Sequence, residues 1–171
     1  KAKAEGRQPV GMDAETAGMF PDSFEDSELG KIPKGWHPIK IEDVATLNPR
    51  EKLRKGEHAT YLEMANMPER GSIATGAYQR EFNSGTKFRN GDTLVARITP
   101  CLENGKTALV EFLDKDEVAW GSTEYIVIRS LGLLPAQYFY LLARSDQFRA
   151  YAITNMTGTS ESMDAAAIPL V

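Results

Sequence analysis

Strand-like segments first and helix-like segments last predict an α+β fold. It is a mostly antiparallel, twisted sheet with short helices and closing helices at the C-terminal end. Three observations carry this. Short apolar runs rich in Val, Ile, Thr and Tyr recur between residues 92 and 129, separated by Asn-Gly turns. The period then changes after Pro135 to one that suits helices. Finally, no repeat or low-complexity tract divides the 171 residues, a length that suits one domain or one domain with an appendage.

The elements follow in order. Residues 1–20, rich in Ala, Gly, Glu and Met without a clean period, read as a linker or the end of a truncated conserved segment. Residues 21–171 are expected to form a single domain with an N-terminal arm over 21–36. Two Pro and two Gly bar a long helix in that arm, while Phe24, Leu29, Ile32 and Trp36 make it too apolar for a free linker. Ile39-Lys-Ile41 reads as a short strand. Residues 42–47 read as one or two helical turns opened by acids, and Asn48-Pro49 ends them. Thr60–Met64 reads as a strand, and 65–85 as a long loop or loose hairpin.

Asn90-Gly91 turns the chain into Asp92–Ile98, the clearest strand signal. Asn104-Gly105 turns it again into Thr107–Phe112, and Val118–Trp120 and Glu124–Arg129 are two further strands. Ala136–Arg144 is a helix begun by Pro135, and Ser145 caps a second one from Asp146 to about Thr154. Residues 157–160 read as a polar loop, and Asp164–Ile168 as a short helix ended by Pro169.

Composition excludes several classes. One Cys rules out an intrachain disulfide framework and a Cys-rich zinc site. No apolar run approaches the roughly 18 residues of a membrane helix. No signal-peptide pattern opens the chain, so a soluble cytoplasmic protein without membrane partners is the expectation. The first residue is Lys1 rather than Met, as expected for a fragment of something longer.

A net charge of −4 does not by itself point to nucleic acid. Its distribution is uneven, however: from Arg50 to Lys106 there are 10 bases against 7 acids, while 111–171 holds 8 acids and 4 bases. Such a middle is either ordinary solvated surface or a phosphate-facing strip.

Catalytic constellations are missing. Cys101 has only His37 and His58 as possible partners, neither in a motif, and these histidines lack metal-ligand spacing. No glycine spacing fits a phosphate loop. Pro21-Asp22 followed by Glu28-Leu-Gly-Lys31 has one residue too many for the acid-x-Lys triplet of metal-dependent nucleases, which puts the Lys on the wrong face of a strand. No catalytic or metal residue is expected. What remains are cations and amides around turns: Arg80, Lys87 and Arg89 before Asn90-Gly91, and Arg97, Thr99, Asn104 and Lys106 around Asn104-Gly105. Such residues contact phosphates and base edges.

Specific strings then matter. Residues 20–36 resemble the lead-in to a target recognition domain in the specificity subunit (HsdS-like) of type I restriction–modification enzymes. Gly91-Asp-Thr-Leu-Val-Ala-Arg-Ile-Thr-Pro100 is similar to that family's "GD-x-L-hydrophobic-x-R" strand. Asn104-Gly-Lys106 and Gly121–Ile128 resemble the next two segments, and Tyr138–Leu142 with Met156–Ser160 the closing helix and loop. The Lys1–Arg7 start resembles the segment before a second such domain. The long conserved spacer helices of the family are missing from this chain.

The resemblance implies sequence-specific recognition of double-stranded DNA, without catalysis in this chain. Partner modification (methyltransferase) subunits methylate adenine with S-adenosylmethionine, and restriction subunits cleave DNA with ATP and Mg. The chain itself would carry no cofactor. The expected DNA contacts are Arg80, Lys87, Arg89, Arg97, Asn104 and Lys106, then Tyr61, Thr99 and Thr123. Gly91 and Asp92 are expected to form a structural turn. The alternative for Arg97 is a buried charge paired with Glu124. The other function classes are a non-catalytic protein-interaction module using Trp36 and the Phe residues of the arm, and a stand-alone enzyme.

Overall fold

The structure is a computed structural model and describes residues 2–7, 9–27 and 30–155. It divides into two compact units between Lys40 and Ile41. The loop at 157–160 and the helix at 164–168 expected from sequence lie outside the described residues.

The first unit holds α1 (Ala14–Met19) and the hairpin β1 (Phe24–Ser27) and β2 (Gly30–Pro33), in register from Phe24↔Pro33 to Ser27↔Gly30. Asp13 caps α1, its Oδ1 accepting from the Thr16 amide at 2.7 Å. The rings of Phe20 and Trp36 lie 5.4 Å apart. The arm is therefore extended, as its Pro and Gly content requires.

The second unit contains α2 (Ile41–Val44), β3 (Ala45–Leu47), β4 (His58–Leu62), β5 (Tyr78–Glu81), β6 (Thr86–Phe88), β7 (Asp92–Ala96), β8 (Thr107–Leu109), β9 (Ala119–Gly121), β10 (Tyr125–Ser130), α3 (Ala136–Arg144) and α4 (Asp146–Asn155). The strands form two four-stranded sheets, ordered β3-β10-β7-β8 and β5-β4-β9-β6. All pairings are antiparallel except β4 with β9. An α+β fold with mostly antiparallel sheets and closing helices is what the residue pattern predicts.

The interior strands explain the strongest sequence signals. β7 and β10 lie in the middle of the first sheet, and Leu94–Ala96 and Tyr125–Ile128 are buried throughout. Strands buried on both faces need continuous rather than alternating apolar residues. Val127 is paired with Leu94, and both join Leu62, Phe88 and Ala119 of the second sheet in one core cluster. The main core thus lies between the sheets, and α3 packs on β7, β8 and β10.

The free edge of β8 is covered by the 68–72 segment. The Thr107 amide donates to Pro68 O at 3.2 Å and the Leu109 amide to Ser72 O at 2.9 Å.

One local expectation fails. Residues 39–41 form no strand; Ile41 opens α2, and the strand is Ala45–Leu47, inside the stretch expected to be helical. The cause is tertiary, because Ala45–Leu47 pairs with Ile128–Ser130 and so completes an edge of the first sheet. The 65–85 region takes the loose-hairpin alternative, since Tyr78–Glu81 pairs antiparallel with β4. Asn90-Gly91 lies between strands of different sheets, β6 and β7, rather than at a hairpin tip.

Candidate nucleic-acid interface

The expected contact residues fall into three places. The first is one face of the second sheet. The cross-strand register sets Tyr78, Tyr61, Trp120 and Lys87 in a row across β5, β4, β9 and β6. Alternation along each strand gives them one face. Tyr61 packs against Trp120 with ring centroids 4.3 Å apart and against Tyr78 at 5.5 Å, and Phe82 meets Trp120 edge-on at 5.2 Å. Arg80 places its guanidinium 4.6 Å from the Tyr61 ring and 5.6 Å from that of Trp120. Lys87 Nζ lies 4.9 Å from the Phe82 ring. Both cations are held by ring faces and keep donors for a ligand.

The second place is an open cleft of about 420 Å³. Asn48, Pro49, Arg50 and Glu51 form one side, and Gly85, Thr86 and Lys87 another. Arg97, Thr123 and Tyr125 complete it. Lys87, Arg97 and Thr123 therefore converge, though they are distant in sequence. Arg97 Nε donates to Glu124 Oε2 at 3.0 Å, and both side chains are about two-fifths exposed (43% and 35%). The Arg97–Glu124 pair exists, but at the surface rather than buried. Thr99 is exposed two residues beyond Arg97 and does not line the cleft.

A buried ionic network fixes the cleft wall. Register sets Asp92 opposite Arg129. The fully buried Asp92 carboxylate accepts from Arg129 Nε and Nη2, each at 2.7 Å, and from the Arg89 amide at 2.7 Å. Glu51 Oε1 lies 2.6 Å from Arg129 Nη1 and 2.7 Å from Arg89 Nε. Burial alone would push the Glu51 carboxyl up, but hydrogen bonds from Arg89 and Arg129 outweigh it and hold the group below the ordinary carboxylate range. Hydrogen bonds to Asp92 likewise hold the Arg129 guanidinium in its charged form. Lys87 Nζ donates to the Glu51 carbonyl at 3.2 Å. Arg89, expected at the DNA, spends its side chain here and on Asp116 O at 3.2 Å. Gly91, with φ of +85°, makes the turn that brings Asp92 into place.

The third place is the 97–106 connection, where Asn104 and Lys106 are committed to intramolecular bonds. Asn104 Nδ2 donates to Glu69 Oε1 at 3.2 Å, and Lys106 Nζ to the Met64 carbonyl at 2.8 Å. Arg144 of α3 donates to the Glu69 and Gly105 carbonyls, each at 2.8 Å, and Arg149 of α4 bonds the Glu103 carbonyl. The closing helices thus clamp the turn. Sequence reasoning missed Arg50, Glu51, Trp120 and Arg129. The one visible signal was a charged residue, Arg129, ending an apolar strand.

Among the described residues, no group of three His, Cys, Asp or Glu is placed to hold a metal, and no helix is long and apolar enough to cross a membrane.

No protein-family model matches the chain. It is 31% identical over 144 residues, 80% of its length, to the type I restriction enzyme EcoEI specificity subunit of Escherichia coli. It is 28% identical over 149 residues, 82% of its length, to the EcoAI specificity subunit of the same organism. Over about four-fifths of its length the chain is similar to part of these type I restriction enzyme specificity subunits. It spans about a quarter of the length of these curated relatives (24% and 25%).

The fold agrees. A chain solved for the structural basis of complex assembly and conformational transition of the type I R-M system superposes with a TM-score of 0.60 at 21% identity, covering 76% of this chain and 35% of that one. The HsdS subunit from Thermoanaerobacter tengcongensis gives 0.54 at 13% identity, covering 82% and 34%.

The strings that resemble those of specificity subunits have structural reasons in this chain. Gly91–Ala96 is the turn and buried strand that deliver Asp92 to Arg129. Gly121 must lack a side chain, because a Cβ there would lie 2.3 Å from the Tyr125 ring and 2.7 Å from the Leu62 carbonyl. Tyr125 Oη donates to that same carbonyl at 3.1 Å, and burial pushes its phenol well above the usual range. Tyr138–Leu142 is the middle of α3, whose Tyr140 Oη donates to Gly71 O at 2.6 Å. Met156–Ser160 lies outside the described residues.

Proposed function

We propose that this chain is a sequence-specific double-stranded DNA recognition module of a type I restriction–modification specificity subunit, non-catalytic in itself. The observation that carries the reading is the match to two specificity subunits over four-fifths of the chain. A rigid two-sheet core presenting an aromatic and cationic face and a basic cleft supports it, since scaffolded surface segments can vary in what they read without disturbing the core. Residues 21–171 are the recognition domain, the second of its subunit, and 1–20 its linker. Its partners are duplex DNA, methyltransferase subunits that supply S-adenosylmethionine chemistry, and restriction subunits that use ATP and Mg, in the cytoplasm.

The test is fluorescence anisotropy with the assembled methyltransferase complex containing this chain's full subunit. Methylome mapping of a strain expressing that complex identifies the target. The complex should bind a duplex with that target at least about 10³-fold more tightly than a scrambled one at fixed salt. Equal affinity for both would sink the reading.

A further inference from the structure

The cleft between the 48–51 segment and β6 is lined by more cations than carboxylates. Three cations line it: Arg50, Lys87 and Arg97. Its single lining carboxylate, Glu51, is 8% exposed and already bridges Arg89 and Arg129, neither of which lines the cleft. Lys87 uses one of three donors on the Glu51 carbonyl. Arg97 shares its fork with Glu124 at the surface. Arg50 is exposed and has no ion-pair or hydrogen-bond partner among the described residues. An arginine fork with free donors matches the two non-bridging oxygens of a phosphodiester. The cleft is open and charged, unlike the largely apolar enclosures that take small molecules. It therefore suits a phosphate on a polymer lying across the surface.

We infer that Arg50, Lys87 and Arg97 form a seat for a backbone phosphate of duplex DNA, with Arg50 as the principal donor and Glu51 as the positioning residue beneath it. This rests on the DNA-recognition reading and adds a contact that holds register without reading sequence. The bidentate contact comes from Arg50. Lys87 and Arg97 supply charge around it. Glu51, tied to Arg89 and Arg129, keeps the 48–51 segment fixed so that the phosphate is met by a preformed wall.

The test uses the same methyltransferase complex, with target and scrambled duplexes measured between 50 and 200 mM salt. Neutralising one phosphate contact flattens the slope of log K against log salt by about 0.9. Arg50→Ala should therefore show that change on both duplexes, losing about 3.5-fold less affinity than wild type over this salt range. Arg50→Lys should restore most of the slope, and Lys115→Ala, an exposed cation outside the cleft, should match wild type. A duplex carrying a methylphosphonate at the seated phosphate should weaken wild type more than Arg50→Ala, in which Lys87 and Arg97 still face that phosphate. An unchanged slope in Arg50→Ala, or a loss confined to the target duplex, overturns the seat. Equal wild-type affinity for the two duplexes would instead sink sequence-specific recognition, while the slope still decides the phosphate contact.

Discussion

Replacing Asp92 by Ala should be among the most damaging single changes in the second unit. The carboxylate is fully buried and accepts three hydrogen bonds at 2.7 Å, two from Arg129 and one from the Arg89 amide. Removing it leaves a guanidinium fork and a backbone N–H without their partner. Breaking a buried pair by deleting one member costs about 3–5 kcal/mol. Here Glu51 still holds Arg129 Nη1 at 2.6 Å, and the Arg129 side chain is 28% exposed, so water compensates in part. The cost should then lie at the lower end, about 3 kcal/mol. For a unit this size each kcal/mol moves the melting point by about 4 °C, which gives a shift of about 12 °C.

Thermal unfolding of the 1–171 chain, followed by far-UV circular dichroism at pH 7, measures the shift. Asp92→Asn keeps an acceptor for the Arg89 amide and should fall between Ala and wild type. Arg129→Ala and the double variant complete a cycle with a coupling of at least about 1 kcal/mol. A shift under about 2 °C for Asp92→Ala, or additive single effects, would refute the argument that this network fixes β7 against β10.

The same melts test two further expectations. Gly121→Ala should cost about 1–3 kcal/mol, because its Cβ would stand 2.3 Å from the Tyr125 ring and 2.7 Å from a backbone carbonyl; a neutral result would mean that β9 and β10 are not so closely apposed. The Glu51 carboxyl titrates below its ordinary value of 4.5, so its stabilising contribution is complete above that value and fades as pH falls through the lower folded one. In urea titrations the advantage of wild type over Glu51→Gln should accordingly be largest at pH 7 and shrink below about pH 4.5; an advantage that grows on acidification would reverse the assigned cause.

Much of the frame was legible in the sequence. β7, β10 and α3 follow from apolar runs and period alone, because burial on both sheet faces or on one helix face leaves a direct mark on residue choice. β5 and β6 left no such mark. Tyr78–Glu81 is exposed along its length, and Thr86–Phe88 is only three residues long, so pairing rather than patterning makes them strands. The candidate site divides in the same way. Arg80, Lys87 and Arg97 could be picked out because they are cations beside turn signals. Asn104 and Lys106 could be picked out for the same reason, yet they are spent on Glu69 and the Met64 carbonyl, partners 35 and 42 residues away in the chain.

The sequence by itself determined the mostly antiparallel α+β plan with its closing helices, the buried central pair β7 and β10, and the ordered strings that resemble those of specificity subunits. These depend on local period, on turn chemistry and on residue identity, all of which are written along the chain. Only the tertiary structure decided which cations are free. Asp92 and Glu51 neutralise Arg129 and Arg89, α3 and α4 clamp the Asn104 turn, and Arg50 is left exposed beside Lys87 and Arg97. Charge pairing acts through space over a few ångströms, and neighbours at that distance are set by sheet register and packing rather than by position in the sequence.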